Sequence, residues 1–446
     1  MTDIVSKIDS FFGITERGSD IKTEVKGGVI TFLAMLYILV VNPAILSNTG
    51  VDFNALFTAT AVAAIVSCIL TGIYAKFPVA MAPGMGINAF VAFTIVLTMG
   101  FTYPQALMAV FISGLLFFLV SVTGYREKLI QCIPASFRYA ITAAIGLFIA
   151  IVGLCNAGII TWPVGGVLAF PTPFPVEAAL GLFAVIVTLI MYFRKYWFAV
   201  IAGIIMTSIL GLALGVIQVP SEIMSHPDFS LFGALFTDFG SIEGSMIPSF
   251  LIAILSLFIV DTFDSTGTLV AIGERSGMME DGTFEERAGK TLLVDSGATM
   301  FGAICGTSTT TSFIESQTGI ESGARTGLMA VVVGLLFLVA MIFLPVFGVI
   351  TSACVTGALV LVGILMMSSV KGIEWEDPVM AVVGFLTIVI MTFTSSISNG
   401  IGFGAIAYVL GMYLTGRGQE VNKGMIIIAL MFAIYFPLYY AIIPSL

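Results

Sequence analysis

Long apolar runs separated by short polar connections make up almost the whole of this 446-residue chain. Hydrophobic residues account for 59% of it and charged residues for only 10%, whereas soluble domains carry about 25% charged residues. So few charges cannot cover a water-facing surface, and a run of about 20 apolar residues matches a helix that crosses a bilayer. The pattern predicts an all-α, polytopic membrane protein. It excludes a soluble enzyme, a nucleic-acid-binding protein, a coiled coil and a disordered chain.

The apolar runs and the charges between them predict the topology. Fourteen runs lie at 29–46, 54–75, 82–99, 104–123, 137–157, 177–193, 197–216, 248–272, 291–305, 310–322, 326–347, 351–369, 378–394 and 398–415. With the N-terminus inside, the N-terminal segment and the even-numbered connections hold all 17 Lys and Arg residues. Because basic residues favour the cytoplasmic side, we predict fourteen spans in the cell membrane and a cytoplasmic N-terminus. The charge rule does not place a further apolar run at 424–443.

Two of the fourteen runs do not suit a continuous helix in lipid. The third opens with APGMGIN at 82–88, and the tenth contains GTSTTTSFIES at 306–316. Glycine weakens a helix interior, and Ser and Thr hydroxyls compete for its backbone partners. The two segments hold matching places in two halves of seven spans, which predicts an inverted seven-plus-seven repeat with broken helices in spans 3 and 10. Paired broken helices indicate a transport site at the midplane, while the alternative is two packing helices rich in small residues.

A few ionisable side chains fall at membrane depth and are candidate site residues. Asp261 and Asp264 lie three residues apart near the middle of run eight, and Glu315 lies in run ten. An acid at this depth is costly and therefore indicates function. Burial favours its protonated form, which suits proton coupling. Asn88, beside Gly86, both donates and accepts hydrogen bonds, as recognition of a planar heterocycle requires. The alternatives are that one of these acids, Asp264 above all, only bonds a neighbouring backbone end and that Asn88 is a backbone cap.

Other polar residues carry weaker signals. Tyr37 and Asn42 in the first run either line the same cavity or cap a helix that breaks at Pro43. Four charged residues are expected at cytoplasmic edges, solvated or closing a gate: Glu274, Arg275, Asp295 and Arg325. The five cysteines have no CxxC pair and the chain has one histidine, His226, so no cofactor, zinc site, disulfide framework or Ser-His-Asp site is predicted.

Four strings resemble the AzgA-like purine permeases, a branch of the nucleobase–ascorbate and nucleobase–cation symporter group. They are GGVITFLAMLYILVVNPAIL (27–46), APGMGINAF (82–90), DTFDSTGTL (261–269) and TTTSFIESQTG (309–319). The resemblance implies proton-coupled uptake of adenine, guanine or hypoxanthine. It also implies that an acid of span eight, with Asp261 favoured over Asp264, binds the base together with Glu315, Asn88 and Gly86. Related carriers have a His near the span-eight acid, where this chain has Ser265.

The resemblance also implies a division of the chain into domains. A cytoplasmic segment (1–28) precedes a core domain formed by spans 1–4 (29–123) and 8–11 (248–347). A gate domain consists of spans 5–7 (137–216) and 12–14 (351–415), with an extracellular loop at 217–247 and an extra segment at 424–443. Related carriers are often homodimers. The competing hypothesis is an anion carrier of the same build, for sulfate or bicarbonate, which would require a basic site rather than an acidic one.

Overall fold

The computed structural model describes most of the chain. Its description leaves out residues 1, 124–132, 162–167, 197, 219–222, 225, 239–240, 280–281, 395 and 443–446. Cys132 and the basic residues Arg126 and Lys128 therefore lie outside the described residues, as does the end of the apolar run at 424–443.

The first half begins with an eleven-residue helix and a short 3-10 turn, and then becomes strongly apolar. Asp20 caps the helix α2 by accepting a hydrogen bond of 2.8 Å from the Thr23 amide, so this helix starts eight residues before the predicted boundary at 28/29. The elements of this half are α1 (Thr2–Phe12), α2 (Ile21–Met35), α3 (Ile38–Leu46), α4 (Phe53–Leu70), β1 (Met81–Pro83), α5 (Met85–Ala89), α6 (Tyr103–Thr123), α7 (Ala135–Asn156), α8 (Val176–Phe193) and α9 (Ala199–Ala213). A wider helical segment, Phe90–Thr98, continues α5.

The second half repeats this order. Its elements are α10 (Ile247–Arg275), α11 (Phe284–Cys305), β2 (Thr310–Ser312), α12 (Ser316–Glu321), α13 (Leu328–Met341), α14 (Leu344–Gly348), α15 (Ser352–Met367), α16 (Pro378–Phe393), α17 (Ile397–Leu414) and α18 (Lys423–Ile442). Within the described residues, eight helical segments are long and apolar enough to cross a membrane, and five more are apolar but shorter. The count of fourteen spans stays a prediction.

The helices pack as two bundles, and within each bundle the two halves make equivalent contacts. In the first bundle α13 packs against α2 and α4, just as α6 packs against α10 and α11. In the second bundle α7 and α15 pack together, α15 also contacts α8, and α7 contacts α16 in the equivalent way. Exchanging the halves thus leaves the packing unchanged, as an inverted repeat requires.

The two segments that the sequence marked as unsuited to a helix meet at the centre of the first bundle. β1 and β2 are extended and pair antiparallel, with Met81 opposite Ser312, Ala82 opposite Thr311 and Pro83 opposite Thr310. Each strand is followed within a few residues by a short helix, α5 or α12. Extended backbone at membrane depth is tolerated only where protein or a cavity surrounds it, and both strands are buried throughout.

Apolar side chains also cover the outside of the molecule. On α8, Leu182, Ile186 and Ile190 follow one another at helical spacing and are 43–49% exposed. In contrast, the buried set includes many hydroxyl and amide side chains as well as Asp261 and Asp295. An apolar outer surface around an apolar interior that also contains polar side chains matches a protein whose solvent is lipid.

Candidate functional site

A cavity between the two bundles contains two of the predicted acids. It is open on one side and offers about 110 Å³ to the centres of water-sized molecules. Asp264 and Thr268 of α10 line it from the first bundle, and Val362, Leu365 and Met366 of α15 line it from the second. The remaining lining comes from the β1–α5 and β2–α12 segments: Gly84, Met85, Thr311, Ser312, Phe313, Ile314 and Glu315. The cavity therefore lies where the paired strands give way to helices.

Asp264 and Glu315 are both accessible in this cavity. Asp264 is exposed although it lies near the middle of the apolar helix α10, and Glu315 is half-buried. Their charges interact with each other. The Tyr37 hydroxyl, buried at the junction of α2 and α3, donates a hydrogen bond of 2.6 Å to Glu315 Oε1. Two carboxyl groups in one pocket favour a state in which at least one carries a proton.

Asp261 occupies a different environment on the same helix. It is fully buried and does not line the cavity with Asp264 and Glu315. Its Oδ2 accepts a hydrogen bond of 3.4 Å from Thr299 Oγ1 of α11, and its charge interacts with that of Asp295. The sequence argument favoured Asp261 over Asp264 as the contact to the base, whereas the cavity brings together Asp264 and Glu315.

Asp295 was not recognised as a site residue from the sequence. We expected it at a cytoplasmic edge, but that expectation is wrong, because Asp295 is fully buried within α11. Ser312 of β2 donates a hydrogen bond of 3.5 Å to its Oδ2. A sequence signal was available, because Asp295 lies inside the ninth apolar run (291–305) and not in the polar connection before it.

The threonine-rich segment before and within β2 is held by polar side chains from several helices. Asn42 of α3 donates to Thr307 Oγ1 at 2.8 Å and to Thr60 Oγ1 of α4 at 2.7 Å. Thr299 of α11 donates to the Thr310 carbonyl at 3.1 Å and accepts from the Thr310 amide at 3.2 Å. Asn42 thus fixes the segment rather than lining the cavity.

Asn88 and Gly86, both predicted to bind the substrate, are not among the residues that line this cavity. Asn88 is fully buried, and its Oδ1 accepts a hydrogen bond from the Ser308 hydroxyl. Gly86 faces α7, where a Cβ atom on it would lie 2.7 Å from Ile145 Cγ2. Asn88 therefore ties α5 to the threonine-rich segment, and Gly86 lets the two bundles approach closely.

A second, more enclosed cavity adjoins the first and contains a basic side chain. It is small, with about 30 Å³ available to the centres of water molecules, and Asp264 lines it together with Gly86, Ile87 and Val260 of the first bundle. Four residues of α7 face it, Arg138, Ile141, Thr142 and Ile145, as does Met366 of α15. Asp264 thus stands at the boundary between the two cavities.

The comparison with known proteins establishes the family. A family model described as the Permease family matches residues 22–403. The chain belongs to the permease family. It is 40% identical over 441 residues to the guanine/hypoxanthine permease PbuG of Bacillus subtilis, covering 96% of this chain and 99% of that protein. It is also 35% identical over 438 residues to the adenine permease AdeQ of Escherichia coli, covering 97% and 98%. The predicted resemblance is confirmed.

Solved structures support the fold. The transmembrane domain of a cyanobacterial bicarbonate transporter, BicA, matches this permease with a TM-score of 0.65 and 17% identity, over 87% of this chain and 97% of that one. The murine anion transporter Slc26a9 matches with a TM-score of 0.57 and 12% identity, over 89% and 69%. Together with the helical packing, these matches confirm a polytopic, mostly helical inverted-repeat architecture. The chain is a multi-pass membrane transporter and not an enzyme.

Proposed function

We propose that this permease imports purine nucleobases together with protons across the cell membrane. The observation that carries the proposal is the cavity between the bundles, in which Asp264 and Glu315 face one another beside the paired strands. Relatives that match nearly the whole chain are named guanine/hypoxanthine and adenine permeases. A neutral, planar base fits a site that offers carboxyl groups and the ring of Phe313.

The chemistry of the two acids suits the edges of a purine. Guanine presents acceptors at N7 and O6, and adenine presents an acceptor at N7 beside an amino donor. An ionised carboxylate accepts from ring and amino N–H groups, and a protonated carboxyl group also donates to a ring nitrogen or to O6. We assign base binding to Asp264 and Glu315, and support of the site to Asp261, Asn88 and Gly86. One protonated and one ionised acid match the acceptor and donor of the adenine edge, whereas the two acceptors of the guanine edge require two donors.

Proton coupling follows from the excess of acids near the cavity. Four acids form a chain of charge interactions. Asp261 interacts with Asp264 and with Asp295, and Asp264 interacts with Glu315. Four negative charges in so small a volume are costly. A proton that enters with the neutral base reduces this cost, and its release on the other side allows the empty carrier to return.

The side of the membrane towards which the cavity extends supports an inward-facing state of the carrier. Val362, Leu365 and Met366 lie near the C-terminal end of α15, which is followed by the exposed Lys371. Thr268 lies in the last third of α10, which ends at Arg275. If basic connections are cytoplasmic, the cavity extends towards the cytoplasm and the N-terminus is inside. The first bundle then corresponds to the core domain (29–123 and 248–347) and the second to the gate domain (137–216 and 351–415).

Anion carriage is the second candidate, because the solved structures of similar fold are those of a bicarbonate transporter and an anion transporter. An anion site requires positive charge or unpaired amides at its centre. The larger cavity instead contains Asp264 and Glu315 and no Lys or Arg among its described lining. The acids therefore oppose this function.

Uptake of labelled hypoxanthine, guanine and adenine into cells without their own purine permeases tests the proposal. Expression of the permease should confer uptake that falls when the proton gradient is dissipated. Glu315→Gln should nearly abolish uptake with normal membrane insertion, because an amide does not titrate. The matched control is Glu376→Gln, which alters an exposed acid remote from the cavity. Bicarbonate or sulfate flux without purine uptake would contradict the proposal. The homodimer stays a prediction, which crosslinking in membranes would test.

A further inference from the structure

Glu24 is an acid that lines neither of the two cavities at Asp264. The sequence assigns it to the polar N-terminal segment (1–28), but it is fully buried in the first turn of α2. Its Oε1 accepts a hydrogen bond of 2.7 Å from the Arg325 amide, and its Oε2 accepts one of 3.2 Å from the Thr326 amide. A carboxylate in the first half of the chain thus holds the backbone that leads into α13 in the second half.

Arg325 connects this contact to α12, the short helix that follows Glu315. Its Nη1 donates hydrogen bonds of 2.6 Å to the Ile320 carbonyl, in the last turn of α12, and of 2.7 Å to the Ala324 carbonyl after it. Glu315 is the residue directly before the first residue of this helix. Because α12 has only six residues, less than two helical turns separate its far end from Glu315. A shift of the turn between α12 and α13 therefore displaces Glu315.

Small residues bring α2 and α12 into close contact. A Cβ atom on Gly27 of α2 would lie 2.6 Å from Ala324 Cβ, and a Cβ atom on Gly319 of α12 would overlap with Thr31 Oγ1 of α2. Glycine at these positions thus lets the two backbones approach one another without an intervening side chain. Close packing of this kind transmits a displacement from one helix to the other.

The other end of α2 leads to Tyr37, which binds Glu315 directly. The Tyr37 phenol donates a hydrogen bond of 2.6 Å to Glu315 Oε1. α2 and the junction after it therefore hold the Glu315 segment at both ends, since Glu24 binds the backbone beyond α12 and Tyr37 binds the carboxyl group before it. The geometry of the bond between Tyr37 and Glu315 depends on both contacts.

We propose that Glu24 is a positioning residue, which places the Glu315 carboxyl group against the Tyr37 phenol and thereby sets the affinity for the base. The inference rests on the proposed function, in which Glu315 binds the base. Two backbone amides require two acceptors, and a carboxylate supplies both, whereas glutamine would direct an N–H group at one of them. A buried donor without an acceptor is costly, so the turn between α12 and α13 should shift in Glu24→Gln.

A double-mutant cycle on the kinetics of hypoxanthine uptake tests this role. Glu24→Gln should raise the KM by roughly fivefold and change the Vmax per carrier by less than about twofold. Tyr37→Phe, which should raise the KM by roughly tenfold in the wild-type background, should raise it by about twofold or less in the Glu24→Gln background, because residues that act through one contact are not additive. Glu16→Gln, which alters an exposed acid of the same N-terminal segment, is the control and should change neither value.

Gly27→Ala provides a second cycle in which Glu24 is intact. Its methyl group would press on Ala324, so we expect the KM to rise and the effect of Tyr37→Phe to be lost in the same way. An unchanged KM in Glu24→Gln, or effects of Glu24→Gln and Tyr37→Phe that multiply in the double variant, would overturn the role of Glu24. Failure of both Glu24→Gln and Gly27→Ala to insert into the membrane would also overturn it, because the contact would then be required for folding. Wild-type protein that transports no purine would instead contradict the proposed function itself.

Discussion

Tyr37 and Glu315, which are 278 positions apart in the chain, are joined by a hydrogen bond of 2.6 Å from the phenol to Oε1. Tyr37 is only 3% exposed, whereas Glu315 reaches the cavity. The bond ties the α2–α3 junction in the first half to the β2–α12 segment in the second half. Because the phenol binds Oε1, we expect Oε2 to be the oxygen that the proposed base approaches.

Tyr37→Phe should weaken the apparent affinity for the base without preventing insertion. A hydrogen bond to a charged group contributes about 1.5–3 kcal/mol, so the KM for hypoxanthine should rise by roughly tenfold or more. Tyr192→Phe, which removes a phenol from a partly exposed ring on α8, provides the comparison. An unchanged KM in Tyr37→Phe would show that Glu315 is oriented by other contacts.

The two acids of α10 should respond differently to neutralisation. Asp264→Asn should abolish binding of labelled base, because this side chain lines both cavities. Asp261→Asn should retain binding while its transport becomes less dependent on external pH, because the buried charge next to Asp295 is removed. Binding assays on purified protein and uptake over a pH series distinguish the two variants. Loss of binding in Asp261→Asn alone would restore the assignment that the sequence favoured.

Gly86 should be required for movement between the bundles rather than for contact with the base. In Gly86→Ala the new methyl group would lie 2.7 Å from Ile145 Cγ2, closer than ordinary contact. We expect transport to fall several-fold, since overpacking typically costs about 1–3 kcal/mol. Gly86→Ala combined with Ile145→Ala should recover transport. Failure of this double variant, with loss of base binding in Gly86→Ala, would favour direct contact with the substrate.

A cap at the start of α16 predicts a pH effect on stability. The Asp377 carboxylate accepts a hydrogen bond of 2.9 Å from the Val379 amide and one of 2.6 Å from Arg417 Nη1. The hydrogen bond from Arg417 holds the pKa of Asp377 below its ordinary value of 3.8. A carboxyl group with a depressed pKa stabilises the folded state at pH values above its ordinary pKa. This contribution is lost as the pH falls through the folded-state pKa.

Substitution of Asp377 should therefore matter more near pH 7 than near pH 3. Asp377→Ala should lower stability by about 1 kcal/mol, because a cap is lost, and Asp377→Asn should lower it less, because asparagine still caps. Thermal unfolding of the purified protein at both pH values measures the difference. Equal destabilisation by Asp377→Ala at both values would exclude an ionic contribution.

The sequence predicted the parts of this fold that depend on local composition. Apolar runs, basic connections and the Gly- and Thr-rich segments were sufficient for the helical architecture and the family, and they located Asp264 and Glu315. They did not predict that Tyr37 bonds Glu315, that Asp295 is buried beside Asp261, or that Arg138 shares a cavity with Asp264. Each of these depends on packing between distant helices, and no local pattern encodes which face of α7 or α11 meets α10.

The last prediction concerns α18, a segment that the distribution of basic residues does not assign to either side of the membrane. α18 packs along α17, and Phe432 and Phe436 both approach Gly402. The rings of Phe403 and Phe436 are 4.7 Å apart. Since α17 runs towards Arg417 while α18 runs away from Lys423, the two helices are antiparallel. Twenty residues at 1.5 Å per residue extend about 30 Å, which is enough to cross the hydrocarbon core.

The end of α18 should therefore lie on the side of the membrane opposite to Lys423. In a background without accessible cysteines, Ile442→Cys should react with an impermeant thiol reagent added outside, as should Phe229→Cys in the predicted extracellular loop. Glu420→Cys and Glu286→Cys should react only after the membrane is permeabilised. These four positions separate a fifteenth span from a helix that returns to its starting side, since a returning helix would leave Ile442→Cys protected together with Glu420→Cys.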